Sequence, residues 1–279
     1  MSLKKINKGR YKIIEKIGKG GQATVAKAED RTQPGRFVAL KIIYFHNRQI
    51  EDIYDDNSYQ RFHWEFLLTK RLKHPQISTA DDYGIDMDNN VIFMARPYLE
   101  GHTLTELLNK EGKFSPAEAA RIILSIARVL DYIHERDVVH CDLKPSNVIM
   151  EYNDPVLIDF GLATKTGECE TAFGSSSGTL DYIAPELLDK NTFRKYMNHP
   201  SRDWWALGCI AFNLFTGKRI FKESSSNILA AGIHRGREQK VIGKVLSGHK
   251  GLAMVKALLE RDPEKRVSSK ADLENLVEL

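Results

Sequence analysis

The stretch His140-Cys141-Asp142-Leu143-Lys144-Pro145-Ser146-Asn147 puts a carboxylate, an ammonium and a carboxamide within six residues. Phosphoryl transfer is the chemistry that needs those three groups close together. Its transition state spreads negative charge over the oxygens of the moving group. A cation and metal ions stabilise that charge, while a carboxylate orients the attacking hydroxyl and accepts its proton.

Holding such a stretch in place takes elements on both sides of it. Upstream, Ser115 suits a helix N-cap, with Pro116 at the first helical position and Glu118 completing a capping box. Ala119, Ile122, Ile123, Ile126, Val129, Leu130 and Ile133 continue at helical spacing. Downstream, Val148 to Met150 and Val156 to Ile158 read as short strands, followed by a Gly-, Ser- and Thr-rich stretch from Thr164 to Gly178. Further helices are predicted at Trp204 to Phe215, Ser226 to Ala231, Leu252 to Leu259 and Ala271 to Val277. The N-terminal part is β-rich instead, with strands predicted at Tyr11 to Ile17, Thr24 to Glu29, Phe37 to Tyr44 and Val91 to Ala95. One helix, Gln60 to Lys73, interrupts them and stops at His74-Pro75, because the residue before proline avoids α geometry. Pro97 to Gly101 is the short connector where the composition changes.

The bulk numbers leave a soluble globular protein as the expectation: 279 residues, 42% hydrophobic and 28% charged. No apolar run approaches a membrane span, and Met1 to Arg10 is a polar leader without the apolar core of a signal peptide. The expected compartment is the cytoplasm, which three widely spaced cysteines, Cys141, Cys169 and Cys209, also fit. A net charge of +4 does not by itself point to nucleic acid or an anionic membrane.

Asp159-Phe160-Gly161 begins twelve residues after Asn147, and Ala184-Pro185-Glu186 closes the segment beyond it. In order and spacing these motifs resemble the eukaryotic-type protein kinase family, from about Tyr11 to the C-terminal end. The resemblance implies an α+β, bilobal fold, with an N-lobe at 11–96, a hinge at 97–101 and a C-lobe at 102–279. It implies ATP with Mg²⁺, or Mn²⁺ as a substitute, and a protein substrate, the chain itself included. By the same resemblance Asp142 is the base, Lys144 the cation near the γ-phosphate, and Asn147 and Asp159 the metal ligands. Ile17-Gly18-Lys19-Gly20-Gly21-Gln22-Ala23-Thr24-Val25 resembles the glycine-rich loop over the triphosphate, with Ala23 in place of the third glycine. Lys41, in Val38-Ala39-Leu40-Lys41, resembles the lysine on the α- and β-phosphates, and its partner is expected nine residues before His74-Pro75, at Glu65. Glu51 is the rival partner, and Glu51 to Tyr59 looks inserted. Val25, Ala39 and Ile149 would surround the adenine, and the Leu99 backbone would bond it. Lys144 and the Gly178-Thr179 pair imply a Ser/Thr kinase, with Thr179 close to Asp142 and Lys144. Asp203 resembles the buried aspartate that ties down the catalytic loop, and Arg266 the arginine that pairs with Glu186.

Several positions depart from the family. Cys141 stands where an arginine usually receives activation-loop phosphate, so an ion-pair switch through that residue is not expected. Thr164, Thr166, Thr171, Ser175, Ser176 and Ser177 remain candidate autophosphorylation positions. The Cys141 thiol is either an oxidation point or a small buried group. Arg96 falls at the gate behind the adenine, which implies a strand shifted to bring Met94 there or an Arg96 turned outward to a carboxylate. Thr69 takes a place usually apolar. Two rival readings stand beside this one. A non-catalytic scaffold of the same fold would lack a visible lesion, since Lys41, Glu65, Asp142, Asn147 and Asp159 are all present. A small-molecule kinase would lack the segment ending in Ala184-Pro185-Glu186.

Overall fold

A computed structural model describes residues 3–19, 23–45, 57–167, 180–221, 232 and 236–277. The chain divides into two compact units, Met1–Glu100 and Gly101–Leu279. The architecture is mixed α+β, with the sheet in the first unit and most helices in the second.

The N-terminal unit is a six-stranded antiparallel sheet in the order β1-β2-β3-β4-β6-β5. Its strands are β1 (Lys5–Ile6), β2 (Tyr11–Lys19), β3 (Thr24–Asp30), β4 (Phe37–Tyr44), β5 (Asp82–Asp86) and β6 (Val91–Pro97). Period-2 alternation sorts β4 and β6 cleanly. Val38, Leu40 and Ile42 join Val91, Phe93 and Ala95 in one apolar cluster. Ile92 and Met94 belong to a second cluster with Phe62 of helix α1 (Asn57–Arg71). In α1 the buried residues Phe62, Glu65, Leu68 and Thr69 recur at helical spacing. The helix begins earlier than the Gln60 expected, so residues 57–59 of the stretch that looks inserted are helical, and Glu51 lies outside the described residues. The leader is also not merely polar: Ile6 is fully buried and pairs with Tyr11 across β1 and β2.

The C-terminal unit is built on two helices. Helix α2 (Leu104–Glu111) and helix α3 (Pro116–His134) both start with a complete capping box, Thr103 with Glu106 and Ser115 with Glu118. The predicted stripe from Ala119 to Ile133 is buried along α3. After helix α4 (Phe193–Tyr196), helix α5 (Ser201–Thr216) is buried on nearly every side and packs on α3 and on α7 (Leu252–Leu258). Gly208 permits that approach, since a Cβ there would lie 2.7 Å from Leu259 Cδ2. Helices α6 (Arg237–Val245) and α8 (Lys270–Glu274) complete the described helices. Two small sheets bracket the stretch from His140 to Asn147: β7 (Gly101–Thr103), β9 (Val148–Glu151) and β10 (Asp154–Leu157) form one, and β8 (Val138–Val139) with β11 (Thr164–Lys165) the other. The expected helix at Ser226 to Ala231 lies outside the described residues. Among the described residues no helix is long and apolar enough to cross a membrane.

Candidate active site

In the N-terminal unit, β2 and β3 pair Gly18 with Val25 and Lys19 with Thr24, so the chain reverses between them. Ile17, Gly18 and Lys19 end one strand, Thr24 and Val25 open the next, and Ala23 precedes them; Gly20, Gly21 and Gln22 lie outside the described residues. Lys41 sits in the middle of β4, between Val25 on β3 and Met94 on β6. Its Nζ lies 2.8 Å from Glu65 Oε2, and the Glu65 side chain is 1% exposed. A residue 24 positions away thus supplies the carboxylate, once α1 has docked on the sheet.

Arg96 corrects the sequence reading. Met94 is opposite Lys41 and Arg96 opposite Ala39. Arg96 does not turn outward. Its side chain is 6% exposed and its Nη2 donates to Glu65 Oε1 at 2.5 Å. Thr69 takes its apolar place because its hydroxyl donates to the Glu65 carbonyl at 2.8 Å, which leaves no hydroxyl proton unsatisfied.

In the C-terminal unit, the catalytic stretch runs from β8 to β9 and is tied down by Asp203 near the start of α5. The Asp203 carboxylate accepts from His140 N at 2.7 Å and Cys141 N at 2.9 Å, and lies 2.9 Å from His134 Nε2. Burial pushes its pKa up, but the hydrogen bonds from His134 and from the His140 backbone N–H outweigh that and hold it below the ordinary value. Cys141 needs this support, because it is a non-glycine residue at φ 67°, in the left-handed region. Farther along, Lys144 Nζ donates to Asp142 Oδ2 at 2.6 Å. Asn147 Nδ2 donates to the Asp142 carbonyl at 2.9 Å and to Oδ2 at 3.2 Å. Lys144 and Asn147, two of the groups read from the sequence, therefore both contact the third, Asp142. Ile158 N donates to the Asn147 carbonyl at 3.1 Å, which sets Asp159 beside Asn147, and Asp159 Oδ1 accepts from Gly161 N at 3.0 Å. Burial drives the His140 imidazole towards its neutral form, and its ring centroid lies 4.8 Å from that of the buried Phe160.

The other expected positions lie in their own elements. Ile149 is half-buried in β9 opposite Thr103, Leu99 is half-buried between β6 and β7, and Ala39 lies in β4. Thr179, Cys169, Thr171 and Ser175 to Ser177 lie outside the described residues. Glu186 and Arg266 form a buried two-bond fork at 2.6 and 3.0 Å. Cys141 is the small buried thiol rather than the oxidation point: burial pushes its pKa up to about 11, and Sγ lies 3.6 Å from Thr164 Oγ1. One neighbour escaped the sequence reading. Arg202 donates to the Cys141 carbonyl at 3.0 Å and to the Met197 carbonyl, and nothing in its local sequence marks it for that place.

The donor set fits a hard divalent cation. Asn147 has its Nδ2 committed to Asp142, which leaves Oδ1 to face a cation, and Asp159 offers a carboxylate. Among the described residues no cluster of three or more His, Cys, Asp or Glu could hold a metal alone. Two protein oxygens with the rest supplied by phosphate and water is the pattern Mg²⁺ accepts.

A family model described as protein kinase domain matches residues 11–276. The serine/threonine-protein kinase PrkC of Bacillus subtilis is 33% identical over 225 residues, covering 80% of this chain and 33% of the relative. The serine/threonine-protein kinase PknD of Mycobacterium tuberculosis is 31% identical over 282 residues, covering 95% of this chain and 39% of the relative. Aurora kinase of Saccharomyces cerevisiae is 30% identical over 214 residues, covering 76% of this chain and 54% of the relative. The chain thus spans about a third of the length of the first two and about half of the third. With a match running through both units and all the motifs above, the chain belongs to the protein kinase family.

Proposed function

We propose that this chain transfers the γ-phosphoryl group of ATP to Ser and Thr hydroxyls of proteins, itself included. Family membership implies ATP, a divalent metal and protein substrates; the finer reading is Mg²⁺ held by Asn147 and Asp159. The observation that carries the proposal is the Asp142 carboxylate gripped by Lys144 and Asn147 on a loop pinned by Asp203. That grip holds the Asp142 carboxylate in one orientation, as a positioned general base requires.

Each group then has one task. Asp142 orients the attacking hydroxyl and takes its proton as the oxygen bonds to the γ-phosphorus and the bond to the β–γ bridging oxygen breaks. Lys144 offsets charge on the transferred oxygens, and Lys41, fixed by Glu65, holds the α- and β-phosphates. Val25, Ala39 and Ile149 contact the adenine, the Leu99 backbone bonds it within the 97–101 hinge, and the backbone of Ile17 to Val25 covers the phosphates. Thr179 completes the substrate side. The bound metal ion supplies electrostatic stabilisation of the phosphate oxygens. We read the chain as acting in the cytoplasm, where ATP is abundant and Cys141 and Cys209 stay reduced.

The test is transfer from labelled ATP with Mg²⁺ to the chain and to a generic basic protein, followed by phosphoamino-acid analysis. Label on Ser and Thr supports the reading. Label on Tyr alone, or none, overturns it.

A further inference from the structure

The Lys41–Glu65 pair accounts for one oxygen of Glu65 and leaves a second cation on the other. Arg96 reaches it through strand geometry. Directly opposed residues of antiparallel strands share a face, so Arg96 and Ala39 lie on the same side of the sheet as Lys41 and Met94. Ile92 and Met94 on that side pack against Phe62 of α1. The next residue of that side on β6 is Arg96, which therefore emerges under the same helix, beside the small Ala39. It meets Glu65 one helical turn beyond Phe62.

We propose that Arg96 is a positioning residue for ATP binding: it shares the Glu65 carboxylate with Lys41, so that Lys41 keeps positive charge for the phosphates. This rests on the reading of Lys41 as the phosphate-contacting cation. One carboxylate between two cations leaves the trio with a net positive charge, where a simple Lys–Glu pair would be neutral. Exposure assigns the two cations different work. Arg96 is 6% exposed and committed inward, while Lys41 is 20% exposed and has the more accessible ammonium. Arg96 therefore neutralises and fixes Glu65 from inside, and Lys41 meets the polyanion.

Arg96→Met and Arg96→Lys in the full chain test this, with thermal melting as the check on folding. Arg96→Met leaves Glu65 paired with Lys41, so no buried charge is stranded. Losing the surplus charge should raise both the KM for ATP and the dissociation constant of a fluorescent ATP analogue about tenfold, with kcat within about threefold. Arg96→Lys, which keeps the charge, should bring both constants back to within about threefold of wild type. Unchanged analogue affinity in Arg96→Met overturns the proposal, as does Arg96→Lys binding as poorly as Arg96→Met. If Arg96→Met melts below the assay temperature, Arg96→Lys decides, and a tenfold loss of affinity there counts against the charge. The analogue titration does not depend on turnover. A wild type that binds it but transfers no phosphate therefore refutes the kinase reading, not the role of Arg96.

Discussion

Replacing Arg266 by Met removes the cation that closes a set of buried bonds around Glu186. The Arg266 side chain is 0% exposed and that of Glu186 3%. Besides its fork on Glu186, the guanidinium donates to the Ser201 carbonyl at 2.9 Å and, through Nε, to the Glu260 carbonyl at 2.7 Å. It also lies 5.1 Å from the Trp205 ring centroid. Without it, Glu186 keeps a bond from Ser201 Oγ at 3.2 Å, but among the described residues no other cation contacts its carboxylate. An uncompensated buried charge of this kind costs about 3–5 kcal/mol. In a unit of this size that lowers Tm by roughly 6–20 °C. Near-UV circular dichroism melts of the full chain measure it. The decisive comparison is the double variant Glu186→Gln with Arg266→Met, which removes the stranded charge and should melt several degrees above Arg266→Met alone. A double variant that melts at or below the single one would refute the view that the loss comes from the stranded charge rather than from lost packing.

Asp203→Asn should lower kcat about a hundredfold, about 2.7 kcal/mol of transition-state stabilisation, because an amide offers one acceptor where Cys141 N and His140 N now share a carboxylate; steady-state activity within threefold of wild type would contradict this. Cys141 should resist iodoacetamide in the folded chain at pH 8, where a thiol of pKa about 11 is roughly one part in a thousand thiolate. Mass spectrometry in a Cys169→Ser background checks this, and full labelling of Cys141 within minutes contradicts it. Arg10 bonds hold Asp30 well below the usual carboxylate range, so Asp30 contributes its full stability above an unfolded value of about pH 4 and loses it as pH falls through the lower folded value. Asp30→Asn should therefore be less stable than wild type at pH 7 and show a flatter loss of stability below pH 4, read by chemical denaturation at each pH; parallel curves would exclude the effect.

Local chemistry carried much of the reading, and three-dimensional pairing supplied the rest. The capping box at Ser115 and the stripe along α3 were legible because both are set by spacing within one helix. Asp142, Lys144 and Asn147 were legible as a group because they are close in sequence as well as in space. Glu65 could be counted back from His74-Pro75, since a proline fixes the helix end to within a residue or two. Arg96 was visible as an anomaly, yet its partner was not. Strand alternation gives its face, but only a docked helix brings Glu65 beneath it. Arg202 left no local trace, because its contact with the Cys141 carbonyl spans 61 positions and uses a backbone acceptor. Ile6 was missed for a related reason: a lone apolar residue in a basic leader becomes core only when β1 pairs with β2.

The central claim is that Asp142, gripped by Lys144 and Asn147, is the base of a phosphoryl transfer, and one measurement reaches it directly. Wild type and Asp142→Asn are incubated with labelled ATP and Mg²⁺, and label is quantified on the chain and on a basic protein substrate. The asparagine keeps the shape of the loop but cannot take the proton. Transfer by wild type with a loss of at least about a hundredfold in Asp142→Asn, at similar nucleotide affinity, is the expected result. Equal transfer by the two proteins would contradict it.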